Sequence, residues 1–154
     1  MDVLRKQLSK SLKGGQAFVP IAKAISNVKP ELRNVRPNEK LHSVWEELEH
    51  LRIAQEDIIN YMLDANWKSP KWPDDYWPES NDNLSDDEWQ KSYNNFLDGI
   101  NKAIEIVNDD GIDLLSIIPH TESHTYFREI LVLIEHNAYH IGKIVDIRKA
   151  LGDW

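Results

Sequence analysis

The chain has 154 residues, of which 41% are apolar and 29% charged, a size and composition typical of one domain with a buried core. Its formal net charge of -8 and its scattered basic residues argue against nucleic acid as a partner. It contains no cysteine, which excludes disulfides and an internal thiolate, and no apolar run predicts a membrane span. The N-terminus lacks the apolar core of a signal peptide, so we expect a cytoplasmic protein.

The N-terminal part predicts one interrupted helical region, from about Val3 to Val28. Gly14 and Gly15 break it, because glycine weakens a helix interior. We therefore expect a short leading helix and then a better one from Gln16 to Ser26. Two prolines bound the loop that follows, over residues 30–37.

A second helix is predicted from Ser43 to a point between Asp64 and Trp67. Ser43 and Glu46 have the spacing of a capping box, in which each side chain caps the other residue's backbone N–H. Apolar residues recur at helical spacing along the segment. The resulting stripe consists of Val44, Leu48, Leu51, Ile58 and Met62.

Residues 66–84, "NWKSPKWPDDYWPESNDNL", predict a long non-helical crossover. Three prolines exclude a continuous helix, and three tryptophans argue against disorder. Long connections in compact domains are usually functional or disordered. We therefore leave two alternatives for Trp72, Tyr76 and Trp77: they wall a pocket, or they only plug the side of the helices.

The C-terminal half predicts two more long helices. The third begins at Ser85, again with capping-box spacing to Glu88, and ends near Asn108. The fourth extends from about Thr125 to Leu151. Four long helices with one long connection in the middle predict an all-α four-helix bundle, in which the second and third helices are free to run parallel.

The fourth helix has two apolar faces. Its main stripe consists of Phe127, Ile130, Ile134, Ala138, Ile141 and Val145. A second face, about 130° away, carries His136 and His140 together with Leu133, Ile144 and Ile147. A surface helix normally has one apolar stripe. We therefore expect burial on two sides, the second side being a metal-lined groove, a dimer interface or both.

Three histidines are candidate metal ligands. His136 and His140 lie one turn apart on one helix face, where a single ion reaches both rings. His50, in the middle of the second helix beside Asp57 and Tyr61, is the candidate third ligand. Three neutral imidazoles leave coordination positions open for water or substrate. The alternative is that these histidines only pack, because H-x-x-x-H without the glutamate of H-E-x-x-H is a weak signal.

Other polar residues near the candidate site are assigned structural roles. We expect His42, His120 and His124 to be structural or exposed, with His124 within reach of the site. Glu49 and Glu135 each precede a candidate ligand and point about 100° away from it, which favours a solvated position.

Three segments together resemble the DinB-like superfamily, also called the DinB/YfiT-like metalloenzymes. They are "SVWEELEHLRIAQEDI", "WPDDYWP" and "HNAYHIGKIVDIRKALGDW". The resemblance spans residues 14–154 and implies a single domain over 1–154 with up-down-down-up helix order. It also implies a divalent metal held by His50, His136 and His140, and a homodimer. One departure is Lys143, where the family commonly has glutamine; lysine only donates hydrogen bonds and carries charge.

The first functional hypothesis is a metal-dependent transferase or hydrolase acting on a small molecule. Zn, Ni and Fe(II) all accept nitrogen ligands, so the ligands do not choose among them. Characterised members of the family that this chain resembles include thiol-dependent transferases and isomerases, and a low-molecular-weight thiol used by this chain must be external. Asp57 and Tyr61 are candidates for orienting ligands or relaying protons. The alternatives are a non-catalytic, stress-associated metal-binding dimer and a purely structural bundle.

Overall fold

The computed structural model describes residues 3–79, 81 and 83–154. In these ranges the chain forms five α-helices and no β-strand: α1 (Val3–Lys13), α2 (Ile21–Ile25), α3 (Val44–Leu63), α4 (Asp86–Asn108) and α5 (Tyr126–Ala150). The all-α prediction is confirmed. None of the described helices is long and apolar enough to cross a membrane. The predicted domain limits and the predicted crossover also include Met1, Asp2, Ser80 and Asp82, which lie outside the described residues.

The first helical region differs from its prediction. The leading helix α1 is the longer one, and only α2 is helical within the predicted segment Gln16–Ser26. Gly14 and Gly15 follow α1 with positive φ angles of 71° and 83°, a conformation that stops a right-handed helix. Pro20 then lies at the N-cap of α2, where its missing backbone N–H costs no hydrogen bond of the helix.

The boundaries of α3 and α4 confirm their predictions. Ser43 accepts a hydrogen bond from the backbone N–H of Glu46, whose side chain accepts one from the backbone N–H of Ser43. Ser85 and Glu88 form the same box at the start of α4. The described residues of the crossover between the helices are non-helical apart from a 3-10 turn at Asp74–Tyr76. Local capping chemistry therefore sets where both helices begin.

Contacts between α3 and α4 show that these two helices run in the same direction. Near their starts the Trp45 and Trp89 rings lie 6.5 Å apart. Further along, Gln55 Nε2 donates to the Phe96 carbonyl at 2.7 Å. Residue numbers therefore increase in the same direction along both helices. Gly99 makes this approach possible, because a Cβ there would lie 2.0 Å from Gln55 Nε2. A long crossover is required to return the chain to the start of α4.

Contacts between α3 and α5 show that these two helices run in opposite directions. Glu47 near the start of α3 meets His140 in the second half of α5, whereas Tyr61 near the end of α3 meets His124, just before α5. The two helices are therefore antiparallel. The complete up-down-down-up order of a four-helix bundle stays a prediction.

The helix α5 buries one broad face rather than two separate ones. Its buried positions include Ile130, Leu133, Asn137, His140, Ile141, Ile144 and Ile147. Of these, only Asn137 lies outside the two predicted stripes, whereas Phe127, Ile134 and Ala138 of the main stripe are only half-buried. Both predicted sides therefore carry buried residues, and together they form one continuous face. His140 lies on the same face that packs against α3.

Candidate metal centre

Three histidines from two helices converge between α3 and α5. His50 is 1% exposed, His140 is 6% exposed and His136 is half-buried. One ring nitrogen of each lies within 4.8 Å of the other two, and among the described residues this is the one such group of potential ligands. Nε2 of His136 lies 3.0 Å from Nε2 of His50. The structure thus brings together the three residues predicted as ligands, while metal binding by them stays a prediction.

A backbone carbonyl of the crossover orients His50. The Nδ1–H of His50 donates to the carbonyl oxygen of Tyr76 at 2.8 Å. Because a carbonyl only accepts, Nδ1 carries the proton and Nε2 presents its lone pair to the cluster. A partner of this kind on the outer nitrogen is usual for histidines that ligate metals.

A buried carboxylate orients His140. The Nδ1–H of His140 donates to Oε2 of Glu47 at 2.6 Å, and Glu47 is wholly buried. Its other oxygen receives Nζ of Lys143 at 2.6 Å and Nδ1 of His42 at 3.2 Å. Burial raises the pKa of Glu47, but the hydrogen bonds from His140 and Lys143 outweigh it, so this pKa lies below the ordinary glutamate value.

His136 has a different environment. Its Nδ1 is buried and has no hydrogen-bond partner among the described residues. Burial, with the neighbouring His140 and His50, lowers the pKa of His136 to about 3. Burial also lowers the pKa of His50. Both rings are therefore neutral near pH 7, the state in which imidazole binds a metal ion.

Aromatic side chains of the crossover cover one side of the histidines. The Trp77 ring stacks on His50 at 4.0 Å and 7° between ring planes, and the His42 ring lies 3.9 Å from the Trp77 ring. Tyr76 lies against α3 by its hydroxyl, which donates to Asp57 at 2.5 Å. Trp72 is 68% exposed. Of the two alternatives for the crossover, a wall of the site therefore fits Trp77, while Trp72 lies outside.

The two candidate catalytic residues, Asp57 and Tyr61, form their side-chain hydrogen bonds with residues other than the three histidines. Both oxygens of Asp57 are occupied, one by the Tyr76 hydroxyl and one by Trp67 Nε1 at 2.8 Å. Burial and the Asp57 hydrogen bond raise the pKa of Tyr76 to about 12. The Tyr61 hydroxyl pairs with Nδ1 of His124 at 3.0 Å. Asp57 thus holds the crossover, and Tyr61 belongs to a separate polar group.

The remaining polar residues divide between the site and other surfaces. Glu135 is exposed, as predicted, whereas Glu49 binds Arg52 and the Ser92 hydroxyl on the α4 side. The Nε2–H of His120 donates to the carbonyl oxygen of Tyr61, outside the histidine cluster. Sequence reasoning missed Glu47. The signal was its position three residues before His50, a spacing that places both side chains on neighbouring parts of one helix surface.

Comparison with known families supports the resemblance seen in the sequence. The DinB superfamily profile matches residues 20–144, a range that includes all three histidines. The chain belongs to the DinB superfamily. No curated protein and no solved structure matches this DinB superfamily chain.

Proposed function

We propose that this DinB superfamily member is a divalent-metal-dependent enzyme, a transferase or hydrolase acting on a small molecule. The ligands of the ion, which is Zn, Ni or Fe(II), are His50, His136 and His140. The observation that carries the proposal is the convergence of three ring nitrogens within 4.8 Å. Neutral imidazoles suit all three ions.

The surroundings of the rings support an open, reactive centre rather than a closed structural one. Three protein ligands leave coordination positions free. A bound divalent ion supplies Lewis acidity toward a substrate oxygen or sulfur. Tyr76 and Glu47 hold two of the rings in their ligating orientation, and Trp77 excludes water from the outer side of His50. Because the chain has no cysteine, any thiol in the reaction is external.

Further parts of the proposal concern assembly. The up-down-down-up order is supported by the parallel α3–α4 contacts and the antiparallel α3–α5 contacts. A homodimer, a small-molecule substrate and a cytoplasmic location stay predictions.

Metal content tests the proposal directly. We expect roughly one divalent ion per chain in wild-type protein purified without chelators, because all three ligands are in place. The double variant His136→Ala/His140→Ala should retain none, by elemental mass spectrometry. The matched control His120→Ala/His124→Ala removes two histidines outside the cluster and should retain the ion. Absence of metal from wild type, even after reconstitution with Zn, Ni and Fe(II), would refute the proposal.

A Co(II)-substituted protein distinguishes an enzyme with open positions from a non-catalytic metal protein. We expect the visible absorption of the Co(II) form to change when a low-molecular-weight thiol is added, since a ligand can enter an open position. A spectrum that does not respond to thiols would instead favour a non-catalytic, metal-binding dimer.

A further inference from the structure

We propose that Glu47 is a positioning residue for His140 and that Lys143 offsets its charge, so that this ion pair sets how tightly the centre holds its metal. The inference rests on the proposed function, because it takes His140 as a metal ligand.

The two carboxylate oxygens of Glu47 bind different side chains. Oε2 accepts the Nδ1–H of His140 at 2.6 Å, and Oε1 accepts Nζ of Lys143 at 2.6 Å. The Nδ1–H of His42 adds a longer contact to Oε1 at 3.2 Å. Glu47 is 0% exposed, so no bulk water competes for these positions. An enclosed, ionised carboxylate accepts only, and it therefore fixes the His140 tautomer that leaves Nε2 free.

The three histidines differ in what holds their outer nitrogen. His50 donates to a neutral carbonyl, and Nδ1 of His136 has no partner in the part of the chain that the structure describes. Among the three, only His140 has a charged acceptor. A carboxylate partner raises the basicity of an imidazole ligand more than a neutral one does. Glu47 therefore makes His140 the most basic of the three imidazole ligands.

Lys143 reduces the effect of Glu47 on the basicity of His140. Its ammonium group lies against the oxygen that His140 does not use, and its side chain remains 28% exposed. It also lies 5.8 Å from the Trp77 ring centre and 5.6 Å from that of Tyr139, at the edge of the site. A positive charge here offsets the carboxylate and repels a divalent ion. Removal of that charge leaves more of the negative potential of Glu47 for His140 and the metal.

The two residues therefore predict changes of opposite sign in Zn(II) affinity, measured by competition with a chromophoric chelator. Glu47→Gln should lower the affinity about 10- to 100-fold. Lys143→Gln, which keeps a hydrogen-bond donor, should raise it about 3- to 10-fold. The matched controls are Glu49→Gln on α3, whose partners are Arg52 and Ser92, and Lys149→Gln on α5, whose partner is Asp146. Both controls should leave the affinity within about twofold of wild type.

The double variant separates this electrostatic role from a merely structural one. In the Glu47→Gln background, Lys143→Gln should raise Zn(II) affinity less than it does in the wild-type background, because the carboxylate charge that Lys143 offsets is absent and only the repulsion between Lys143 and the ion is removed. An equal rise in both backgrounds, or a Glu47→Gln protein that binds Zn(II) like Glu49→Gln, would overturn the inference while leaving the proposed function intact. Failure of wild type to bind any ion would instead refute the proposed function, and this inference with it.

A measurement on metal-free protein keeps the inference testable if Glu47→Gln does not fold. Long-range 1H–15N NMR of the imidazole rings should show His140 as the Nδ1–H tautomer in wild type and in Lys143→Gln. The carboxylate of Glu47 imposes that tautomer in both proteins. A His140 ring with its proton on Nε2, or with both tautomers populated, would overturn the positioning role.

Discussion

The metal-free protein is expected to lose stability as the pH falls below about 6.5, the ordinary pKa of histidine. Burial lowers the pKa of His136 to about 3 and also lowers that of His50. In the unfolded chain both rings take up protons near their ordinary pKa, while the folded protein does not. Lowering the pH from the ordinary histidine pKa toward the pKa of the folded protein therefore favours the unfolded state. Above about pH 6.5 the stability no longer depends on the protonation of these rings.

The expected loss is about 2 kcal/mol between pH 6.5 and pH 5, since one fully shifted histidine gives a slope of about 1.4 kcal/mol per pH unit. Partial exposure of His136 reduces the loss of stability that this ring causes, whereas His50 increases the total loss. Glu47 does not contribute in this window, because its lowered pKa affects stability only below the ordinary glutamate value.

Urea denaturation in the presence of a chelator, from pH 7.5 to pH 5, measures this slope. His136→Gln removes the titrating ring and should flatten the dependence, whereas His120→Gln, at an exposed position, should leave it unchanged. Equal slopes for wild type and His136→Gln would show that the buried ring does not cause the acid sensitivity.

Asp57→Ala is expected to release the crossover from α3 and to destabilise the protein by about 2–3 kcal/mol. The substitution removes the acceptor for both Trp67 Nε1 and the Tyr76 hydroxyl, leaving two partly buried donors unpaired. Tyr76 also supplies the carbonyl that orients His50. Loss of that orientation should lower Zn(II) affinity about 10-fold.

Limited proteolysis and urea denaturation test this expectation together. Asp57→Ala should be cut faster within residues 66–84 than wild type. Glu56→Ala is the matched control, because it removes an exposed carboxylate from the adjacent position of α3, where the partner is Arg52. If both variants have the same cleavage pattern and midpoint, Asp57 does not hold the crossover.

Features set by neighbouring residues could be predicted from the sequence. The Ser43–Glu46 and Ser85–Glu88 capping boxes mark the starts of α3 and α4, because each box involves only four consecutive residues. The interval His136 to His140 likewise places two rings on one face. The third member, His50, was assigned by family resemblance, since periodicity does not determine which helices meet.

Features that depend on tertiary packing were missed. Glu47 reads as an ordinary helix glutamate until α5 brings His140 and Lys143 against it. The composition of the crossover indicated burial of aromatic rings, but only the path of the chain decides that Trp77 covers His50 while Trp72 faces solvent. The apolar residues of α5 predict two stripes, and only the packed structure shows that the buried Asn137 between them belongs to the same face.

The distance in sequence between the histidines determines when the centre is completed during protein synthesis. His50 and His136 contact each other across 86 residues. At a synthesis rate of about 5–20 residues per second, His136 is added roughly 4 to 17 s after His50. During that interval Glu47 and His50 have no α5 to pack against and remain exposed to water. A nascent chain stalled before Tyr126 therefore carries only one of the three rings, and the centre is among the last parts of the molecule to form.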